Sequence, residues 1–414
     1  MTVGTIMAAR PDAPERRFTR RQSFTRLGMF MAFLAMAAYF SWSAMVFILL
    51  FALSIIAHEF GHYIVAKRSG MKVTEFFIGF GPRIWSFRRG ETEYGIKAIP
   101  LGAYVKTPGM TNLETNIAPE DEAHTFRAQS YPRRALMIAA GPLMNLTIAL
   151  VGFCVAFAIF DEPTLTSGYP TIEVADEPGD PISPAVTAGL RTGDRLVSIA
   201  GEPVATWDDV GRVVRPRPGQ EVPIVVDRAG SLVALTAVLG TRTDCPDYGY
   251  LGLRPTSVEG VINRNPVQGV AAGASFFGEA FGSTLSGIGK VFGPSGIGRI
   301  FRTVTGQECD DLAARPTSIV GITSIGGQAV RSGPQATIML ISVVNLALGM
   351  LNLVPILPLD GGHLLMITIE RIKRRTRRNY VIDYAKALPY FSVAILLMAF
   401  VMLSAVYLDT LRLF

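Results

Sequence analysis

The chain has 414 residues, of which 49% are apolar and 17% charged, with a net charge of +6. Soluble domains carry roughly 25% charged residues, so this balance excludes disorder, coiled coil and collagen as the main architecture, and three cysteines exclude a disulfide-built scaffold. The basic excess, 32 Arg and 7 Lys, sits in short clusters, a pattern of membrane orientation rather than of nucleic-acid binding, and no nucleic-acid partner is expected.

In chain order, residues 1–26 are a basic extension with six Arg against Asp12 and Glu15. A first spanning region covers 27–67 and opens with an uncharged run from Leu27 to Ala57. As one helix that run would be about 46 Å long, more than a single crossing needs. Residues 1–44 therefore read either as a surface helix before one long span or as two tight crossings turning near Ser41-Trp42-Ser43. Residues 68–134 are expected to form a β region on the cytoplasmic side. Its segment Glu91–Lys106 reads as short strands broken at Pro100-Leu101-Gly102. The second span is 135–160.

Residues 165–258 lose the long apolar runs and gain turn chemistry, which predicts a small β-rich domain. Within it, Ser183–Val204 (SPAVTAGLRTGDRLVSIAGEPV) resembles the PDZ fold. That resemblance implies a peptide or C-terminus bound by strand addition. Residues 259–335, Gly-rich and weakly apolar, are expected to hold helices lying on the outer membrane surface. Cys245 and Cys309 fall on the same outward side, where a disulfide can form, and Cys154 falls within a span. The third span, 336–363, breaks at Pro355 and Pro358. A basic segment, 364–386, precedes the last span, 387–408.

Charge sets the orientation. Residues Lys67–Arg134 hold 11 basic and 7 acidic groups, and Arg371–Arg378 hold six basic groups in eight. Residues Asp161–Arg331 hold 14 basic and 19 acidic. Basic loops stay in the cytoplasm, so the first two face inward and the third outward. The fold class is thus a polytopic α-helical membrane protein. Its core is about four transmembrane helices, with a membrane-associated β-hairpin and one extracytoplasmic PDZ domain, in the cell inner or plasma membrane.

The chemistry concentrates at His58-Glu59-Phe60-Gly61-His62. Residues four apart share a helix face, so both imidazoles can reach one ion, while Glu59 sits about 100° further round as a candidate general base. Ionisable groups are costly in an apolar span and default to a functional reading. Zinc in such a site needs a third protein ligand and an open position. His124 lies in a polar loop. Asp360, after the Pro355–Pro358 break, is the better candidate, with His363 as a supporting or packing group.

HEFGH, Ala139–Asn145 (AAGPLMN), the PDZ-like string and Asn352–Gly362 (NLVPILPLDGG) together resemble the site-2 protease family, over roughly Met45–Leu408. The resemblance implies an intramembrane endopeptidase with zinc as cofactor, held by His58, His62 and Asp360, and Glu59 as catalytic base. It further implies a membrane-dipping hairpin within residues 68–134, and substrate contacts at Asn352, Pro355, Asn145 and Gly102. The implied partners are the lipid bilayer and single-span membrane proteins such as anti-sigma factors. A non-cleaving membrane PDZ adaptor or chaperone is the alternative, and a metal transporter a third class.

Overall fold

The structure, a computed structural model, describes residues 41–410 apart from 112, 113, 115, 161, 164–171, 175–182, 243, 244, 256–260, 263, 264, 306–316, 378 and 379. The alternatives for residues 1–44 fall almost wholly outside the described residues. So does Cys309, and with it the Cys245–Cys309 pairing.

The elements run α1 (Trp42–Arg68), β1 (Glu75–Arg89), β2 (Thr92–Lys106), α2 (Tyr131–Ile159), α3 (Pro184–Thr187), β3 (Arg195–Ile199), β4 (Glu202–Pro203), α4 (Trp207–Val214), β5 (Glu221–Arg228) and β6 (Ser231–Val238). Six helices follow: α5 (Pro266–Phe292), α6 (Pro294–Val304), α7 (Ile319–Ser332), α8 (Pro334–Asn352), α9 (Asp360–Lys373) and α10 (Tyr384–Thr410). The chain divides into two compact units. The described residues of 160–265, with 305, form one; the rest form the other.

In the larger unit, α1, α2, α8 and α10 are each long and apolar enough to cross a bilayer. This is a multi-pass membrane protein. Ser41 caps the start of α1, and Lys67 and Arg68 close its last turn, where cations suit the helix dipole. The first described span therefore begins at Trp42 and carries the HEFGH motif within one unbroken helix. Small residues let the spans approach closely. A Cβ at Gly61 would lie 2.5 Å from the Ala140 carbonyl oxygen, which brings α1 against α2. At the N-terminal end of α2, Arg134 pairs with Glu370 of α9 at 3.0 Å, both groups buried, and so ties the second half of the bundle to the first.

Helix α5 packs against α2. A Cβ at Gly269 would meet the Phe157 carbonyl at 2.3 Å, and one at Gly273 would meet Cys154 Cα at 2.6 Å. Four residues forward on α5 correspond to about four back on α2, so the first turns of α5 run antiparallel along α2 rather than across its end. Phe276 stacks its edge on Phe153, with centroids 5.0 Å apart. Of the glycines in α5, Gly269 and Gly273 make this close approach, while Gly278, Gly282, Gly287 and Gly289 face open space.

Strands β1 and β2 form an antiparallel pair. Each is long and bends: β1 at Gly79 and Gly81, β2 at Gly102, all with positive φ. The register therefore doubles. Phe76 is paired with both Tyr94 and Val105, while residues 83–89 pair with 92–97. Fifteen-residue strands thus fold into four short ones, a more compact sheet than the simple hairpin expected.

The smaller unit holds a four-stranded antiparallel sheet of order β4-β3-β5-β6. Its alternating inward residues, among them Leu196, Ile199, Ile224 and Val226, are fully buried in one core. Thr206 and Asp209 form a capping box at the start of α4. Asp194, 1% exposed, is clamped by Arg228, whose Nε and Nη2 donate at 2.8 and 2.7 Å, and accepts from the Arg191 backbone N–H at 2.9 Å. Burial pushes this carboxyl up, but the Arg228 and Arg191 bonds outweigh it and hold the group below the usual carboxylate range.

Candidate active site

Three elements converge in the larger unit. The motif helix α1 presents His58 and His62 on one face, one turn apart. Helix α8 ends at Asn352, and the irregular stretch 353–359 turns the chain into α9, whose first residue is Asp360. That turn is tight: a Cβ at Gly361 or Gly362 would strike the backbone of residues 353–357 at 2.2–2.6 Å. The two glycines after the aspartate are therefore what let α9 start where its carboxylate reaches α1.

The donor atoms lie close together. His58 Nε2 is 3.1 Å from Asp360 Oδ2, His62 Nε2 is 3.4 Å from the same oxygen, and the two Nε2 atoms are 3.2 Å apart. These three side chains form a group able to hold one metal ion. A tetrahedral zinc with bonds of about 2.0–2.1 Å sets its ligand atoms about 3.3 Å apart, so the spacing fits.

The hydrogen bonds behind the rings make the same case. His58 Nδ1 faces Asn145 Oδ1 at 2.8 Å, and His62 Nδ1 faces the Met137 carbonyl oxygen at 2.8 Å. Both oxygens only accept, so each Nδ1 donates a proton to its partner, and each ring is oriented with its Nε2 turned inward, the atom that would bind an ion. Asp360 Oδ2 is buried and takes no hydrogen bond. Nδ1 hydrogen bonds of this kind are how outer partners orient a metal-ligating histidine, and an ion held by the three inward atoms would complete the group.

Room for that cation is kept by a glycine. A Cβ at Gly141 of α2 would lie 2.3 Å from His62 Nε2 and 2.6 Å from His58 Nε2. Gly141 stands inside the AAGPLMN string, but nothing in the string says that its missing side chain faces the imidazoles. Asn345 on α8 is the other residue that pattern reasoning missed. It is fully buried and accepts from Asn145 Nδ2 at 3.2 Å.

The remaining expected residues are distributed as follows. Glu59 is buried on α1, outside the donor group, and meets the backbone of Val105 on β2. Asn145, expected among the substrate contacts, is fully buried, with its amide committed to His58 and Asn345. Asn352 is the last residue of α8 and Pro355 is exposed in the turn that leads to Asp360. Gly102 lies in β2 with φ +134, and a Cβ there would come within 2.7 Å of Phe80 Cε2. His363 is buried on α9 with its ring tilted against Tyr384. His124 ends a short turn, its Nδ1 at 3.1 Å from the Gly70 carbonyl oxygen, as a loop residue would.

Comparison with known proteins gives a consistent picture. Residues 46–399 match the profile described as Peptidase family M50. The chain is 35% identical over 395 residues to "Zinc metalloprotease Rip1" of Mycobacterium tuberculosis, covering 87% of this chain and 96% of the relative. It is 33% identical over 400 residues to the protein of the same name in Mycolicibacterium smegmatis, with the same coverage.

Proposed function

Because the chain belongs to peptidase family M50, the site-2 protease family of zinc metalloendopeptidases, we propose that it hydrolyses peptide bonds within the transmembrane segments of single-span proteins. Membrane-anchored anti-sigma factors are the substrate type put forward. The single observation that carries this reading is the convergence of His58, His62 and Asp360 on spans and turns of the bundle. A soluble protease has no need to place its donor set there.

In this reading His58, His62 and Asp360 hold the zinc. Zinc bound there supplies a Lewis acid for the scissile carbonyl and lowers the pKa of a coordinated water. Glu59 takes a proton at its carboxylate and delivers it to the leaving amide nitrogen. A substrate helix hides its peptide bonds in its own hydrogen bonds, so it must unwind before it reaches the site. The bent sheet of β1 and β2, which meets Glu59 through Val105, supports a role as the pairing edge for that unwound segment. Asn352, Pro355 and Gly102 are assigned to its positioning. The loop charges support a donor set that opens to the cytoplasm and a smaller unit that lies outside, where it binds a peptide or C-terminus.

The test compares wild type with Glu59→Gln on a single-span substrate in the same membranes. The expected result is cleavage within the span by wild type, and a loss of about 10²–10⁴-fold in the variant, with equal zinc content in both. Cleavage only in the soluble flank, or equal rates for the two proteins, would sink the proposal.

A further inference from the structure

A chain of buried polar side chains runs from the α8 backbone to His58, and its direction can be read link by link. Asn145 and Asn345 are fully buried and Ser54 nearly so. The Ile341 carbonyl oxygen only accepts, so Asn345 turns its amide nitrogen towards it, at 2.8 Å. The same nitrogen donates to Ser54 Oγ at 2.9 Å, while Ser54 donates its own proton to the Leu50 carbonyl at 3.1 Å. Both N–H groups of Asn345 are thereby committed, and its Oδ1 is left to face Asn145. Asn145 answers with its amide nitrogen, at 3.2 Å. Its Oδ1 is consequently turned to His58 Nδ1, at 2.8 Å.

We infer that Asn345 is a positioning residue: it fixes which way the Asn145 amide faces, and through Asn145 it fixes the tautomer in which His58 presents Nε2 to a metal. An Asn amide has two nearly equivalent ends. Without the Asn345 oxygen, the Asn145 amide is free to turn over and offer a donor to Nδ1. The imidazole proton then belongs on Nε2, inside the donor group, where it competes with the ion. Two backbone carbonyls, of Leu50 on α1 and Ile341 on α8, set the polarity of the whole chain because they cannot reverse their role. The inference rests on the reading of His58 as a zinc ligand.

The experiment measures zinc affinity of the purified full chain by chelator competition, together with the visible bands of the cobalt-substituted protein. Asn345→Ala is expected to bind zinc about 10-fold more weakly and to shift the cobalt bands. Asn145→Asp offers His58 an acceptor whichever way it turns. In that background Asn345→Ala is expected to cost less than about twofold more. Wild-type affinity in Asn345→Ala, or an equal loss in both backgrounds, overturns the inference. If Asn345→Ala does not fold, Asn345→Leu, which also removes the oxygen but keeps the volume, replaces it in the same cycle, where a loss confined to the Asn145 background supports the inference and an equal loss in both, or none, overturns it. His58→Ala separates the two levels. Undiminished zinc affinity there would refute the ligand reading of His58, whereas a loss there with none in Asn345→Ala would refute only the relay.

Discussion

Each unit holds a carboxylate away from water, Asp194 fully and Asp360 in part, with its Oδ2 covered, and the two are treated in opposite ways. Asp194 in the smaller unit is saturated: Arg228 grips both oxygens and the Arg191 N–H adds a third bond. Asp360 in the larger unit faces His58 Nε2 and His62 Nε2, the atoms that would share a metal ion with it, and its Oδ2 takes no hydrogen bond. The first is a finished structural joint, whose charge is neutralised by its own chain. The second is a set of lone pairs that only an added cation completes. A buried ionisable group therefore marks structure or function according to whether the fold supplies its complement.

The largest test of that contrast removes a donor. His62→Ala is expected to lower zinc affinity by more than about 100-fold, beyond the roughly 10–100-fold typical of losing an outer partner, and to abolish cleavage. Chelation of wild type is expected to do the same reversibly on zinc addition. Retained zinc in His62→Ala, measured by metal analysis, would break the contrast. Next comes the space among the donors. Gly141→Ala puts a methyl where both Nε2 atoms lie. It is expected to weaken zinc binding by about 10-fold or more, with an overpacking cost of about 1–3 kcal/mol seen in thermal unfolding.

The saturated carboxylate predicts a stability effect with no metal effect. Asp194→Asn is expected to destabilise the smaller unit by about 2–3 kcal/mol, read as faster hydrogen exchange in β3 and β5, with zinc stoichiometry unchanged. Acid sharpens the point. The folded state holds the Asp194 carboxyl below its ordinary range. Its contribution is therefore present above the ordinary carboxylate pKa of about 3.9 and is lost as pH falls through the lowered value. Exchange in β3 and β5 of wild type is expected to rise over that window, and the rise attributable to this group is expected to vanish in Asp194→Asn. The smallest effect is at an exposed joint. Thr206→Ala removes the capping box of α4 and is expected to cost about 1 kcal/mol, measured by the same exchange in 207–214.

Much of this was legible in the residues. Four apolar runs predict four spans because bilayer thickness fixes their length, and the described helices α1, α2, α8 and α10 are the ones long and apolar enough. The i, i+4 spacing of His58 and His62 places both rings on one face through helix geometry alone. The turn chemistry of 165–258 predicts a β-rich region for equally local reasons. Elsewhere local reasoning misleads. Gly269 and Gly273 add nothing to the apolar pattern of α5, yet their missing side chains let it lie along α2, a contact that hydropathy does not report. The break at Pro100-Leu101-Gly102 is read from the strand pattern, but the doubled register of β1 and β2, which also uses bends at Gly79 and Gly81, is a pairing of distant residues that the pattern does not place.

The sequence by itself determined the elements and the ligand types, since periodicity, apolar length and the HExxH and DGG spacings are properties of neighbouring residues. Only the tertiary structure decided how the donor group is completed. It brings Asp360 to His58 across 302 residues, clears the centre with Gly141, and orients His58 through Asn145 and Asn345. The physical reason is directional. An amide on an apolar span has many partners within reach, and which end it presents depends on acceptors fixed by other helices, which no local pattern encodes.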